Sequence, residues 1–150
     1  MREILFRGKL EPTEDCESEW IFGDLLSKAY DTPNIRPIGS RCCYRVIPET
    51  VGQYTGLTDK NGKKIFEGDI VRYSYDYPDS PFLKAEGKTN EDIIYRTGDV
   101  FWSEWRGSWA VSARAGQRGM NQDLYVYVRN PNRVEIIGNI HDNPEMMGGE

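Results

Sequence analysis

The 150-residue chain has one histidine, three cysteines and no Cys-x-x-Cys pair. That scarcity sets the first limits on function. A structural zinc site needs four ligands at close, recognisable spacing, and Cys16, Cys42, Cys43 and His141 do not supply one. An odd cysteine count with two neighbours adjacent does not build a disulfide framework, and reduced thiols suit a cytosolic compartment. No apolar run reaches the ~18 residues that a membrane-crossing helix needs. The segment Met1–Arg7 is too short and too charged for the apolar core of a secretory leader. Nucleophile and phosphate motifs are also missing. There is no Gly-x-Ser-x-Gly, and Gly116-Gln117-Arg118-Gly119 is too short for a phosphate-cradling loop and has no Lys-Ser/Thr after it. The expectation is a soluble cytoplasmic protein, not an enzyme, with no metal, no cofactor and no membrane.

The chain is rich in turn formers and aromatics instead. Glycine and proline total 23 residues and aromatics make up 12%. This favours short strands and tight turns, a mainly β fold with α+β as the limit. The length suits one domain, divisible into an N-terminal β lobe at 1–50, a second β lobe at 51–141 and a tail at 142–150. Net charge is −5, which argues against a surface that coats nucleic acid. The charge is unevenly spread, though. Residues 94–134 carry six arginines, no lysine and three acids, whereas 135–150 carry four acids and no Lys or Arg. An arginine- and aromatic-rich island sits inside an acidic protein.

Alternation and turn chemistry place the strands. Arg2–Lys9 reads as a strand with Ile4 and Phe6 on one face and Leu5 on the other. Trp20–Leu26 reads as a second and Arg41–Ile47 as a third, with a loop at Asp31–Ser40. On a strand, Cys42 and Cys43 fall on opposite faces. Asn61-Gly62 lies between runs that can pair, a strong hairpin signal. Gly68-Asp69 then opens the strand from Ile70. Pro78–Asp92 reads as a polar mobile loop, long for a compact domain. Ile93–Tyr95 ends at a Gly98 turn. Val100–Ser103 and Trp109–Ser112 read as strands, Ala113–Asp123 as loop, Leu124–Val128 and Val134–Ile140 as strands, and His141–Glu150 as an extended tail.

The central block Glu49-Thr-Val-Gly-Gln-Tyr-Thr-Gly-Leu-Thr-Asp-Lys-Asn-Gly-Lys-Lys-Ile-Phe-Glu-Gly-Asp-Ile-Val71 resembles the hallmark of YopX-like proteins of bacteriophages and prophages. Ile4–Lys9 with Trp20–Asp24 is similar to the family's opening, and Val134–Glu145 to its ending. Residues 74–98 and 113–123 depart from it as insertions. The resemblance implies a β-rich fold, with an SH3-like partial barrel in the 51–141 lobe, and a mobile-element origin in a bacterial host cytosol. It implies no catalytic residues.

The candidate binding residues come from the island. Trp102, Trp105 and Trp109, with Tyr125 and Tyr127, would form a stacking platform for bases. Arg106, Arg114, Arg118, Arg129 and Arg133 would hold phosphates, which suit the guanidinium fork. The competing expectation turns Trp102 and Trp109 into the core and leaves the arginines as a solvated face. Trp105 stands next to Arg106-Gly107 at a loop tip, with little core to join, and an exposed Trp beside Arg suits a binding hot spot. The surface at 104–118 would dock a host or phage macromolecule, protein or nucleic acid. Nucleic-acid binding through 94–134 and sequestration of a small nucleotide are the alternatives, and homo-oligomers through exposed strand edges stay open. Glu67 and Asp69 flanking Gly68 read as turn residues rather than an acid–base pair, and His141-Asp142 lacks a nucleophile to serve.

Overall fold

In the computed structural model, residues 2–15, 18–26 and 32–147 are described. Cys16 and the end of the tail, 148–150, lie outside them. The chain forms two compact units, Met1–Gly56 and Leu57–Glu150. The fold is mainly β, with every described strand pairing antiparallel.

In the first unit, β1 (Phe6–Lys9), β2 (Trp20–Leu26), β3 (Asn34–Pro37), β4 (Tyr44–Arg45) and the start of β5 (Gly52–Thr58) lie in the order β4-β3-β2-β1-β5. Its interior gathers Leu5, Ile35, Val46 and Tyr54. Gly8 is small because it has to be: a Cβ there would sit 3.0 Å from Val46 and 3.2 Å from Ile35. Arg7 is buried with its guanidinium 4.5 Å from the Trp20 ring centroid. Two expectations are corrected here. The stretch at 31–40 holds a strand, β3, because Ile35 is an apolar anchor that overrides the flanking prolines. Of Arg41–Ile47, Tyr44–Arg45 pairs as a strand and Val46 adds a single bridge to Leu10, while Cys42 and Cys43 precede both, exposed as free thiols. The first strand is also shorter than expected: it begins at Phe6, Leu5 is buried and Ile4 is exposed.

In the second unit, β6 (Lys64–Phe66) follows β5 through the Asn61-Gly62 turn. Gly62 takes φ 81°, the left-handed conformation such a turn demands. Asp59 fixes this turn from inside: one carboxylate oxygen accepts the Asn61 and Lys63 amides at 2.9 Å each, and the other accepts the Ile136 amide at 3.1 Å. Then β7 (Asp69–Ser74), β8 (Tyr95–Ser103), β9 (Ser108–Arg114), β10 (Gln117–Asp123) and β11 (Val134–Asn139) form a sheet in the order β10-β9-β8-β7-β11. Ile65, Val71, Tyr73, Val100, Val111, Leu124, Tyr127 and Val134 make its core.

Strand β8 changes partner halfway. Tyr95–Asp99 pairs with β7, and Val100–Ser103 pairs with β9. Gly98 therefore lies within a strand and is not the expected turn. A Cβ on it would come within 2.0 Å of the Ser112 carbonyl oxygen. That same oxygen accepts the Tyr73 hydroxyl at 2.8 Å.

Four other stretches differ from expectation. Residues 113–123 are not a loop, since β9 runs to Arg114 and β10 returns from Gln117. Leu124–Val128 is not a strand but leads into a four-residue helix, α2 (Tyr125–Val128), whose first amide is accepted by Asp123 at 3.0 Å. Leu124, just before it, and Tyr127 within it are buried and three apart, a helical spacing. The 78–92 stretch carries local structure: Ser80 caps the helix α1 (Pro81–Ala85), Thr89 and Asp92 form a capping box, and Leu83 and Ile93 are buried. Past β11, Asn139 and Asn143 organise a turn at 139–143, so this part of the tail is not extended.

Two predictions follow from the β8 switch. Gly98→Ala pushes a methyl onto a backbone carbonyl that has no rotamer to change, and should cost about 3 kcal/mol or more. A chemical-denaturation midpoint within error of the parent contradicts this. Burial pushes Tyr73 up to about 12, with Tyr127 adding to the rise and Arg96 opposing it. The unfolded chain, with tyrosine near ~10, then ionises first. This part of the stability is complete below pH ~10 and is lost as pH rises towards ~12. Tyr73→Phe should lower stability by about 1–2 kcal/mol near neutral pH and flatten the alkaline decline. An unchanged alkaline slope in melting experiments goes against it.

Candidate functional site

The face of β8 turned away from the core carries Asp99, Phe101 and Ser103, because side chains alternate along a strand. Asp99 is fully buried, 0% exposed. A carboxylate there is costly unless its oxygens are satisfied, and here they are. Oδ1 accepts the Ser112 hydroxyl at 2.6 Å and the Gly116 amide at 3.1 Å, and Oδ2 accepts the Arg118 Nε–H at 2.8 Å. The Ser112 hydroxyl in turn accepts the Asp99 amide at 2.9 Å. Burial pushes the Asp99 carboxyl up, but Ser112, Gly116 and Arg118 together hold it below the usual aspartate value.

This node sets Arg118. Its Nε is tied down while its side chain stays 47% exposed, and the guanidinium lies 4.7 Å from the Phe101 ring centroid. Arg106, at the β8–β9 turn, is held in a comparable way. Its Nε donates to Asn121 Oδ1 at 2.6 Å, a terminal nitrogen donates to the Asn121 carbonyl at 2.9 Å, and its backbone amide donates to Ser103 Oγ. Asn121 Nδ2 donates to the Arg118 carbonyl at 2.7 Å. Arg96 stands across the β7–β8 pairing from Tyr73, and its charge opposes the rise of that hydroxyl.

These residues surround a half-open groove of about 510 Å³ lined by Arg96, Ser103, Trp105, Arg106, Ala113, Arg118, Gly119, Met120, Asn121 and Gln122. Three arginines line it and no carboxylate does. Trp105 is 89% exposed with the Arg106 guanidinium 5.5 Å from its ring centroid, and Met120 is 75% exposed.

The sequence candidates separate here. Trp105, Arg106 and Arg118 come together in the groove. Arg114 does not line it; it ends β9, exposed, opposite Gln117. Trp102 and Trp109 form a cross-strand T-shaped pair, centroids 5.2 Å apart at 76°, on the other face of the hairpin. Trp109 packs against the core, as one expectation had it, but Trp102 is 46% exposed and is not core. The platform of three tryptophans with Tyr125 and Tyr127 is not assembled, because α2 buries Tyr127 and carries Tyr125 away from the groove lining. Arg129 and Arg133 line a different cavity of about 390 Å³ beside Tyr75, Tyr77 and Phe82. There Arg133 donates to the Tyr75 and Val126 carbonyls, a clamp on the chain at the cis Asn130–Pro131 bond.

Arg96, Met120 and Gln122 join the groove without having been singled out from sequence. The turn reading of Asp69 is met, since its carboxylate accepts the Phe66 amide at 2.8 Å. Asp142 accepts from Asn139 Nδ2 at 3.0 Å. Among the described residues, no three His, Cys, Asp or Glu side chains are grouped so as to hold a metal ion. No helix among them is long and apolar enough to cross a membrane.

A family model described as YopX protein matches residues 13–148. No curated protein matches the chain. Among solved structures, the crystal structure of protein EF1440 from Enterococcus faecalis is similar at 20% identity and a TM-score of 0.45, over 98% of this chain and 99% of that one.

The Asp99 node yields a prediction. Asp99→Asn removes the charged acceptor and should cost about 2–3 kcal/mol, or roughly 5–10 °C in melting temperature for a chain of this size. A carboxyl held below its ordinary value contributes stability that is complete above that value, near 3.8, and is lost as pH falls through the depressed one. The parent and Asp99→Asn melting curves should therefore converge under strong acid. A constant gap from pH 7 down to pH 2 contradicts the assignment.

Proposed function

The chain belongs to the YopX family, and we propose that it acts as a non-catalytic binding protein, a phage or prophage accessory factor that docks a macromolecule in the host cytosol. The observation that carries this reading is the groove on the second unit: three guanidiniums, two of them held by the fold, and an almost fully exposed tryptophan, with no acidic residue in the lining. An exposed indole beside arginine is the composition of an interface hot spot. The two guanidiniums fixed beforehand, Arg118 by Asp99 and Arg106 by Asn121, lose less side-chain entropy when a partner arrives. The chemistry around the groove supports binding over turnover. Its nearest buried carboxylate, Asp99, is held ionised by three donors and is not poised to exchange a proton near neutrality.

The test is capture from a lysate of bacterial cells carrying the phage. Immobilised parent protein should retain a partner that Trp105→Ala/Arg106→Ala releases, while Tyr44→Ala, a change at an exposed tyrosine of the first unit, leaves recovery intact. Equal recovery by all three proteins would remove the groove from the account.

A further inference from the structure

We infer that the groove accepts a short segment of single-stranded nucleic acid, which rests on the binding reading above and names its ligand. Charge is the first argument. The protein is acidic overall, at −5, yet Arg96, Arg106 and Arg118 converge on one groove without a carboxylate in its lining. Such a surface complements an anion, and guanidiniums serve phosphate and carboxylate groups alike.

The aromatic residue separates the two. The Trp105 indole stands 89% exposed at the rim, with Arg106 5.5 Å from its centroid. Acidic side chains offer it no aromatic face, whereas a nucleobase does, and base–aromatic stacking does not depend on the base. A duplex hides those faces inside its own stack, so the strand must be single. The polar side chains reinforce this. Asn121 uses its carbonyl oxygen on Arg106 and its amide on the Arg118 backbone, so it spaces the arginines instead of reading a base edge. Weak sequence preference follows.

The volume, about 510 Å³, is in the range that holds one small ligand. The groove is open, so a ligand longer than the groove can run through it. A strand passing through, with one base on Trp105 and neighbouring phosphates on the arginines, uses all of them. Three phosphate contacts on a single strand predict a log–log salt slope of about −2, and removal of one arginine should lower its magnitude by about 0.7.

Fluorescence polarisation of a labelled twelve-residue oligothymidylate provides the test, run from low to moderate salt. The competitors are the matching duplex, thymidine monophosphate and polyglutamate. Parent protein should bind the oligonucleotide with the stated slope. Trp105→Ala should weaken binding roughly ten- to hundred-fold and Trp105→Phe much less. Arg106→Ala should reduce the slope, and its melting temperature verifies that it folds, which matters because Arg118→Ala also strips a buried carboxylate of its partner. No binding at low salt, binding indifferent to Trp105→Ala, or displacement as effective by duplex, monophosphate or polyglutamate overturns the inference. If a protein is captured in a Trp105-dependent way and the oligonucleotide does not bind, this ligand is wrong while the docking reading survives. If neither occurs, both fall.

Discussion

A buried carboxylate with three donors organises the second unit. Asp99 lies where β8 leaves β7 and takes up β9, and its hydrogen bonds reach Ser112 on β9, Gly116 in the following turn and Arg118 on β10. Ionised and dry, it would be ruinous if left alone, so the sequence must bring all three donors to it at once. The same switch admits no side chain at Gly98, because the Ser112 carbonyl occupies that space to receive the Tyr73 hydroxyl. Strand exchange, core tyrosine and surface arginine are thus parts of one arrangement.

That arrangement carries outward. Two of the three arginines in the groove have a protein partner that restrains them: Asp99 for Arg118 and Asn121 for Arg106. Long flexible cations on an open surface ordinarily contribute little, because ordering them offsets what their charge gains. Here the ordering is done by folding. Trp105 contributes the apolar part, on a turn whose Arg106 amide is fastened to Ser103. The surface is small and local, consistent with a protein that is otherwise acidic.

Much of this was readable in the residues. Asn61-Gly62 marks its turn because a left-handed backbone there needs no help from elsewhere, and the 94–134 island marks its charge by simple counting. The closeness of Trp105, Arg106 and Arg118 follows from a hairpin over 113–123 that reads as loop in sequence, since Gln117–Asp123 has few apolar residues and becomes a strand by pairing with β9. Arg96 could not be found: it reaches the groove through the pairing of distant strands. Trp102 and Trp105, three apart, look alike in sequence, yet Trp102 lies on β8 against Trp109 and Trp105 lies on the turn that follows. Tyr125-Val126-Tyr127-Val128 alternates like a strand, yet the residues it buries, Leu124 and Tyr127, stand a helical turn apart. Gly98 reads as punctuation, and only the close approach of Ser112 reveals its role.

The most direct measurement is nuclear magnetic resonance of the arginine Nε–H groups during titration with an unlabelled single-stranded oligonucleotide. The account predicts that Arg118 and Arg106 show slowly exchanging Nε–H signals before any ligand is added, held by Asp99 and Asn121. It also predicts that these, Arg96 and the Trp105 indole shift together on titration, while Arg2, Arg36 and Arg41 of the first unit do not. Shifts confined to the first unit, or Arg118 and Arg106 signals that exchange as fast as those of solvated arginines, would contradict it.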